Sequence, residues 1–150
     1  AFASHFAPRL LLQALEVYRA HFRPAAVLDK PYVAIGVPAI AAPTDEEADF
    51  LASSTYQRVL GILTGERKRL QPPVQGYYAS LPGQARAAVD DFLAAAAIGG
   101  PQRVRARLQH LAELTEPDEL ILVSDVYDAD LRLRSLQIVA DVVRQPGPAA

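Results

Sequence analysis

At 150 residues the chain has room for one domain around one core and too little for two. Its composition, 51% hydrophobic with 21% charged and 7% aromatic residues, is that of a globular chain, and no apolar run reaches the roughly 18 residues of a membrane span. A net charge of −2 and a pI near 5.9 argue against a nucleic-acid partner, and the lack of Cys excludes disulfides, thiolate nucleophiles and thiolate metal sites.

The chain opens with FASHFAP, which reads as a buried strand with nothing upstream to pair with, and it starts on Ala1 rather than Met. Residues 9–22 follow as an amphipathic helix, with Leu11, Leu15, Tyr18 and Phe22 on one face and Arg9, Gln13, Glu16 and Arg19 turned to solvent. After a loop carrying Pro24 and Pro31, β-branched Val33, Ile35 and Val37 alternate with Ala34 and Gly36, predicting a strand over residues 32–37 that Pro38 interrupts. Residues 38–42 are expected to be less regular. A second helix opens at Thr44 with Glu47 as its capping-box partner, Asp45 and Glu46 in its first turn and Gly65 at its end.

Residues 66–83 hold three Pro and two Gly without a sustained period, which predicts a long surface excursion whose Tyr77-Tyr78 pair is placed to cover a pocket. The basic run Arg67-Lys68-Arg69 in it reads as a solvated surface. Residues 84–93 form a helix by the spacing of Ala85, Val89 and Phe92 and lead into AAAAIGGP, where a short strand is placed near residues 95–98. Pro101 then starts a helix whose stripe is Val104, Leu108 and Leu111, with Arg103, Arg105 and Arg107 left to solvent. ELILVSD predicts a strand buried on both faces, as parallel sheets require. The last helix, residues 129–144, is expected to bury Leu136, Val139, Ala140 and Val143, and residues 145–150 form a disordered tail by composition.

The order is therefore four βα units plus one extra helix. Such units build either a doubly wound sheet or part of a (β/α)8 barrel. The turn SHFAPR lacks the glycines of a dinucleotide-binding first turn, and four is half of eight. An α/β fold, the C-terminal half of a (β/α)8 TIM barrel over residues 1–144, accounts for the orphan first strand: its neighbour lies in a missing first half.

FASHFAP, YVAIGVPAIAA with TDEEADFLASSTYQRVLGILTG, QPPV, IGGPQRVRARLQHLAEL and DELILVSDVYDADLRLRSLQIVADVV together resemble the luciferase-like flavin-dependent monooxygenases, in the family's order and over nearly the whole chain. The resemblance implies strands five through eight of such a barrel. It also implies a cytoplasmic protein using reduced FMN and oxygen to oxygenate a small organic substrate, with a deazaflavin as the alternative cofactor. A chain holding only this half is expected to be inactive alone and to pair through its strand edges, with a copy of itself or with the missing half. The alternative is a non-catalytic half-barrel, a scaffold or partner subunit. Two positions depart from the family pattern. Glu116-Pro117 stands where a Gly-containing turn usually leaves the penultimate helix, and Ala94 to Ala97 replace bulkier residues, which would either loosen packing or enlarge the pocket at that strand.

Barrel active sites lie at the carboxyl ends of strands. That picks out Ser4 and His5 after the first strand, Ser124, Asp125 and Tyr127 after the last, and Gly99 and Gly100 after the third. By the resemblance Ser4, His5 and Asp125 rim the cofactor pocket, and His5 could serve as acid or base; the plainer reading of His5 and Asp125 is a strand end or a helix cap. Gly99 and Gly100 could admit a ligand to the backbone or simply form a turn. No G-x-S-x-G elbow supports a serine hydrolase, and His21 and His110 sit in helices without metal-ligand spacing.

Overall fold

The computed structural model describes residues 10–66 and 68–144. Within them lie α1 (Leu11–His21), β1 (Ala34–Ala41), α2 (Asp45–Thr64), α3 (Tyr77–Ser80), α4 (Gly83–Phe92), β2 (Ala97–Gly99), α5 (Pro101–Thr115), β3 (Glu119–Val123) and α6 (Ala129–Arg144). The strand expected at the start of the chain, with Ser4 and His5, lies outside the described residues, as does the 145–150 tail. Each of the three strands is followed by a helix and all pair in parallel, the α/β pattern of half a (β/α)8 barrel.

β1 is the hub of the sheet, whose order is β2-β1-β3. Its first part pairs with β3, from Ala34 against Glu119 to Pro38 against Val123, and its last part with β2, from Ala39 against Ala97 to Ala41 against Gly99. The strand runs through Pro38, contrary to the break expected there. Pro38 stands where pairing passes from β3 to β2, so its missing N–H falls at a change of partner rather than within one ladder.

Every residue of β1 is buried. Val33, Ile35, Val37, Ala39 and Ala41 share one core cluster with Leu11 and Leu15 of α1, Val104, Leu108 and Leu111 of α5, and Val139 and Val142 of α6. Ile40 and Ala42 belong to a second cluster built on Leu51, Tyr56 and Val59 of α2 and Val89 of α4. The period-two alternation of the strand thus divides its side chains between two sets of helices.

Local chemistry sets the helix ends. Thr44 Oγ1 accepts the Glu47 N–H at 3.2 Å, and Gly65, at φ 80°, closes α2 with its own N–H on the Ile62 carbonyl. Pro101 occupies the first turn of α5. Asp128 Oδ1 accepts the N–H groups of Asp130 and Leu131 and so caps α6.

Two expectations about burial need correction. In α6 the buried positions are Ser135, Val139 and Val142, with Ile138 partly buried, whereas Leu136 and Val143 are exposed. The Ala41 N–H donates to Ser135 Oγ at 2.7 Å, and this buried bond turns the helix so that a polar residue joins the inward stripe. β3 is not buried on both faces either. Leu120 and Leu122 pack against the first cluster, but Ile121 is 46% exposed, because no described element covers the other face of this strand.

α5 ends on Glu116 in the left-handed conformation, φ 42° and ψ 58°, the position usually taken by glycine. Arg19 Nη2 donates to the carbonyls of Thr115 and Glu116 at 2.7 and 2.9 Å, contacts with the backbone that survive a change of side chain. Glu116→Gly is expected to stabilise the fold by about 1 kcal/mol, because the left-handed penalty at a side-chain-bearing residue disappears. Thermal denaturation should register a rise in Tm of about 3 °C.

Candidate functional site at the strand ends

The carboxyl ends of β1, β2 and β3 carry residues 42–45, Gly99-Gly100 and residues 124–127. The first two ends are tied to each other: Gly100 donates its N–H to Asp45 Oδ1 at 2.6 Å, and the Ala42 N–H reaches the Gly99 carbonyl at 3.3 Å. Gly99 has φ 150°, and a Cβ built on it would lie 2.6–2.9 Å from the side chain of Arg103. The two glycines therefore make a turn held shut by the protein's own carboxylate.

Asp125 behaves differently. Its Oδ2 accepts a charge-assisted hydrogen bond from Nη2 of Arg58, and both side chains are about three-quarters withdrawn from solvent, 32% and 24% exposed. Four buried polar atoms, three on α2 and one after β3, have no hydrogen-bond partner among the described residues: Ser54 Oγ, Thr55 Oγ1, Arg58 Nε and Ser124 Oγ. Ser54 stands one turn before Arg58 on α2, and Ser124 directly precedes Asp125. A buried polar group without a partner costs about 1–3 kcal/mol, so each of these four atoms is a position where an added hydrogen-bond partner would be favourable.

Beyond Arg58 opens a hollow of about 750 Å³ between α2 and the excursion after it, lined in part by Arg58, Gly61, Lys68, Arg69 and Tyr77. The excursion is fastened to α2: the Val74 N–H donates to Ser53 Oγ at 2.8 Å and Gln57 Nε2 to the Pro72 carbonyl at 3.0 Å. Of the residues expected here, Asp125 meets Arg58 of α2, Ser124 has a buried hydroxyl, Tyr127 is half exposed, and Ser4 and His5 lie outside the described residues.

Arg58, Ser54 and Thr55 are functional candidates that the sequence reading passed over. Their signal was the run Ser53-Ser54-Thr55 in the middle of a helix whose apolar stripe continues through Leu51, Tyr56 and Val59. Of the arginines of α5, Arg103 and Arg107 are exposed as expected and Arg105 partly so, and the two exposed ones also make contacts. Arg103 pairs with Asp49 at 3.6 Å, and Arg107 donates to the carbonyls of Ala94 and Ala96 at 2.8 and 3.3 Å. These bonds hold the alanine run where backbone carbonyls would otherwise lack donors, and a hollow of about 300 Å³ lies beside Ala94 and Ala96. Among the described residues no group of three or more His, Asp or Glu is disposed to hold a metal, and no helix is long and apolar enough to cross a membrane.

No protein-family model matches the chain. Curated relatives do. The chain is 41% identical over 142 residues to the uncharacterized protein YvbT of Bacillus subtilis, and 36% identical over 142 residues to a luciferase-like monooxygenase of Escherichia coli K12, in each case across 95% of this chain and 42% of the relative. The crystal structure of apo-MsnO8 superposes with a TM-score of 0.76 at 27% identity, covering 97% of this chain and 45% of that one. The monooxygenase RslO1 of Streptomyces bottropensis, at 17% identity and TM-score 0.54, shares the fold. The chain thus spans about two fifths of the length of the curated relatives it matches. With a parallel βα fold and 36% identity to a relative of that name across 95% of its length, the chain matches the carboxyl-terminal half of the luciferase-like monooxygenases.

Proposed function

We propose that the chain is the carboxyl-terminal half of a flavin-dependent monooxygenase that uses reduced FMN and oxygen to oxygenate a small organic substrate in the cytoplasm. The observation that carries the reading is the 36% identity to a luciferase-like monooxygenase across 95% of the chain. The strand ends suit such a cofactor. Ser54, Thr55 and Ser124 hydroxyls and the Arg58 Nε–H are buried donors in want of acceptors, and an isoalloxazine ring with its carbonyls and ring nitrogens is rich in acceptors. In the proposed site these four residues, with Ser4, His5 and Asp125 at the rim, hold one side of the flavin. The bound flavin supplies the activation of oxygen. The protein's residues orient the ring, withdraw it from water and keep Asp125 neutralised by Arg58.

The remaining groups that cradle the flavin belong, on this reading, to an amino-terminal half. Ile121 is an exposed apolar side chain on the face of β3 that no described element covers, a face suited to packing against that half or against a second copy.

The test is a flavin titration of the 150-residue chain, alone and mixed with the amino-terminal half of an intact relative, with FMN and a deazaflavin as separate arms. The mixture is expected to bind reduced FMN and consume oxygen when supplied with reductant, and the chain alone to bind at least tenfold more weakly. A well-folded mixture with no affinity for either flavin would show instead a non-catalytic scaffold.

A further inference from the structure

A third hollow lies under Tyr77 and Tyr78 and shares Tyr77 with the one that Arg58 lines. It measures about 430 Å³ and is lined by the rings of Phe50, Tyr56, Tyr77 and Tyr78 and by the carboxylates of Glu46, Asp49 and Asp90, with Arg103 as the one cation among the described lining residues. Arg103 is already matched by Asp49, which leaves Glu46 and Asp90 as carboxylates without an opposite charge in the lining, with Arg86 acting on Tyr78 from outside it and Arg107 beside Asp90 in the adjoining hollow. Tyr78 donates its hydroxyl to both oxygens of Asp90 at 2.7 Å, which fixes the carboxylate beside the ring. The Tyr56 and Tyr78 rings stand 5.3 Å apart at 52°, presenting two tilted π faces.

Tyr56 provides the independent observation. It is only 8% exposed, it lines the hollow, and its hydroxyl makes no hydrogen bond among the described residues. Burial, with the neighbouring Asp49, pushes its pKa up to about 12, so the oxygen stays protonated and neutral at ordinary pH. A neutral phenol with a lone pair to offer, aromatic faces and surplus carboxylate together match a donor-rich cation, because ring faces and carboxylates both attract positive charge and the phenol oxygen accepts an N–H.

We infer that this hollow binds a small organic cation carrying a protonated amine, with the ammonium group against Asp90 and the Tyr56 oxygen and the organic part on the tyrosine rings. The inference does not depend on the flavin reading.

Three probes of matched shape test it on the 150-residue chain: benzylammonium, benzyl alcohol and benzoate, each followed by amide chemical shifts. Benzylammonium is expected to shift the amides of Tyr77, Tyr78 and Asp90 saturably. Benzyl alcohol should bind about tenfold more weakly and benzoate more weakly still, in keeping with a charge-driven site. Asp90→Asn should weaken benzylammonium about tenfold and Tyr56→Phe by a smaller factor. Equal binding of the alcohol, binding of benzoate as tight as that of the amine, or shifts confined to other surfaces would overturn the proposal. Should Asp90→Asn fail to fold, the ranking of the probes on the unmodified chain decides the matter.

Discussion

Gly99→Ala is expected to cost about 3 kcal/mol, the sum of a backbone conformation that only glycine adopts freely and a forced overlap in a packed turn. Gly99 sits at φ 150°, and the added methyl would meet Cβ, Cγ and Cδ of Arg103 at 2.6–2.9 Å. Swinging the guanidinium away cannot relieve a contact with Cβ, so the start of α5 has to move. That movement loosens the Arg103–Asp49 pair and the Gly100 bond to Asp45. Gly100→Ala supplies the contrast. Its φ is ordinary and its added methyl would lie 3.3–3.4 Å from Thr44 and Asp45, so the loss should be clearly smaller. Urea denaturation of the two variants side by side checks the ranking. Equal losses would mean that crowding against Asp45, not the backbone of Gly99, controls the turn.

The ends of the elements were legible because capping chemistry is local. Thr44, Gly65 and Pro101 mark their helices in the sequence and act as marked in the structure. The turn after α5 was legible too: Glu116 takes the left-handed position that a glycine would have taken more easily. What failed was whatever depends on partners far along the chain. The face that α6 buries is decided by Ser135 meeting the Ala41 N–H, 94 residues away, and no hydropathy pattern on the helix alone could rank a serine above Leu136. β3 looked like a strand covered on both sides because its residues are apolar, but Ile121 meets no described element on its outer face. The candidate site divides in the same way. Ser124 and Asp125 could be located from their place after a strand. Arg58 could not, since it meets Asp125 across 67 residues and its position on α2 is equally that of a solvent-facing arginine.

The pairing of Arg58 with Asp125 yields the second large effect. Arg58→Ala should destabilise the fold by about 2 kcal/mol, less than the loss for a fully buried pair because about a quarter to a third of each side chain remains in water. The Tm should fall by about 6 °C. Asp125→Ala should cost a similar amount, because either change leaves one half-buried charge without its counterion. The double variant should then cost less than the sum of the two, with a coupling of about 1 kcal/mol, since neither charge is left stranded. Asp125→Asn, which keeps shape and loses charge, separates packing from electrostatics. Flavin binding separates stability from function: in the assembled protein Arg58→Ala also removes the Nε–H donor, whereas Asp125→Asn leaves that donor in place. A loss of flavin affinity well beyond that of Asp125→Asn identifies Arg58 as a cofactor contact. Equal losses identify it as a residue that acts only by holding Asp125.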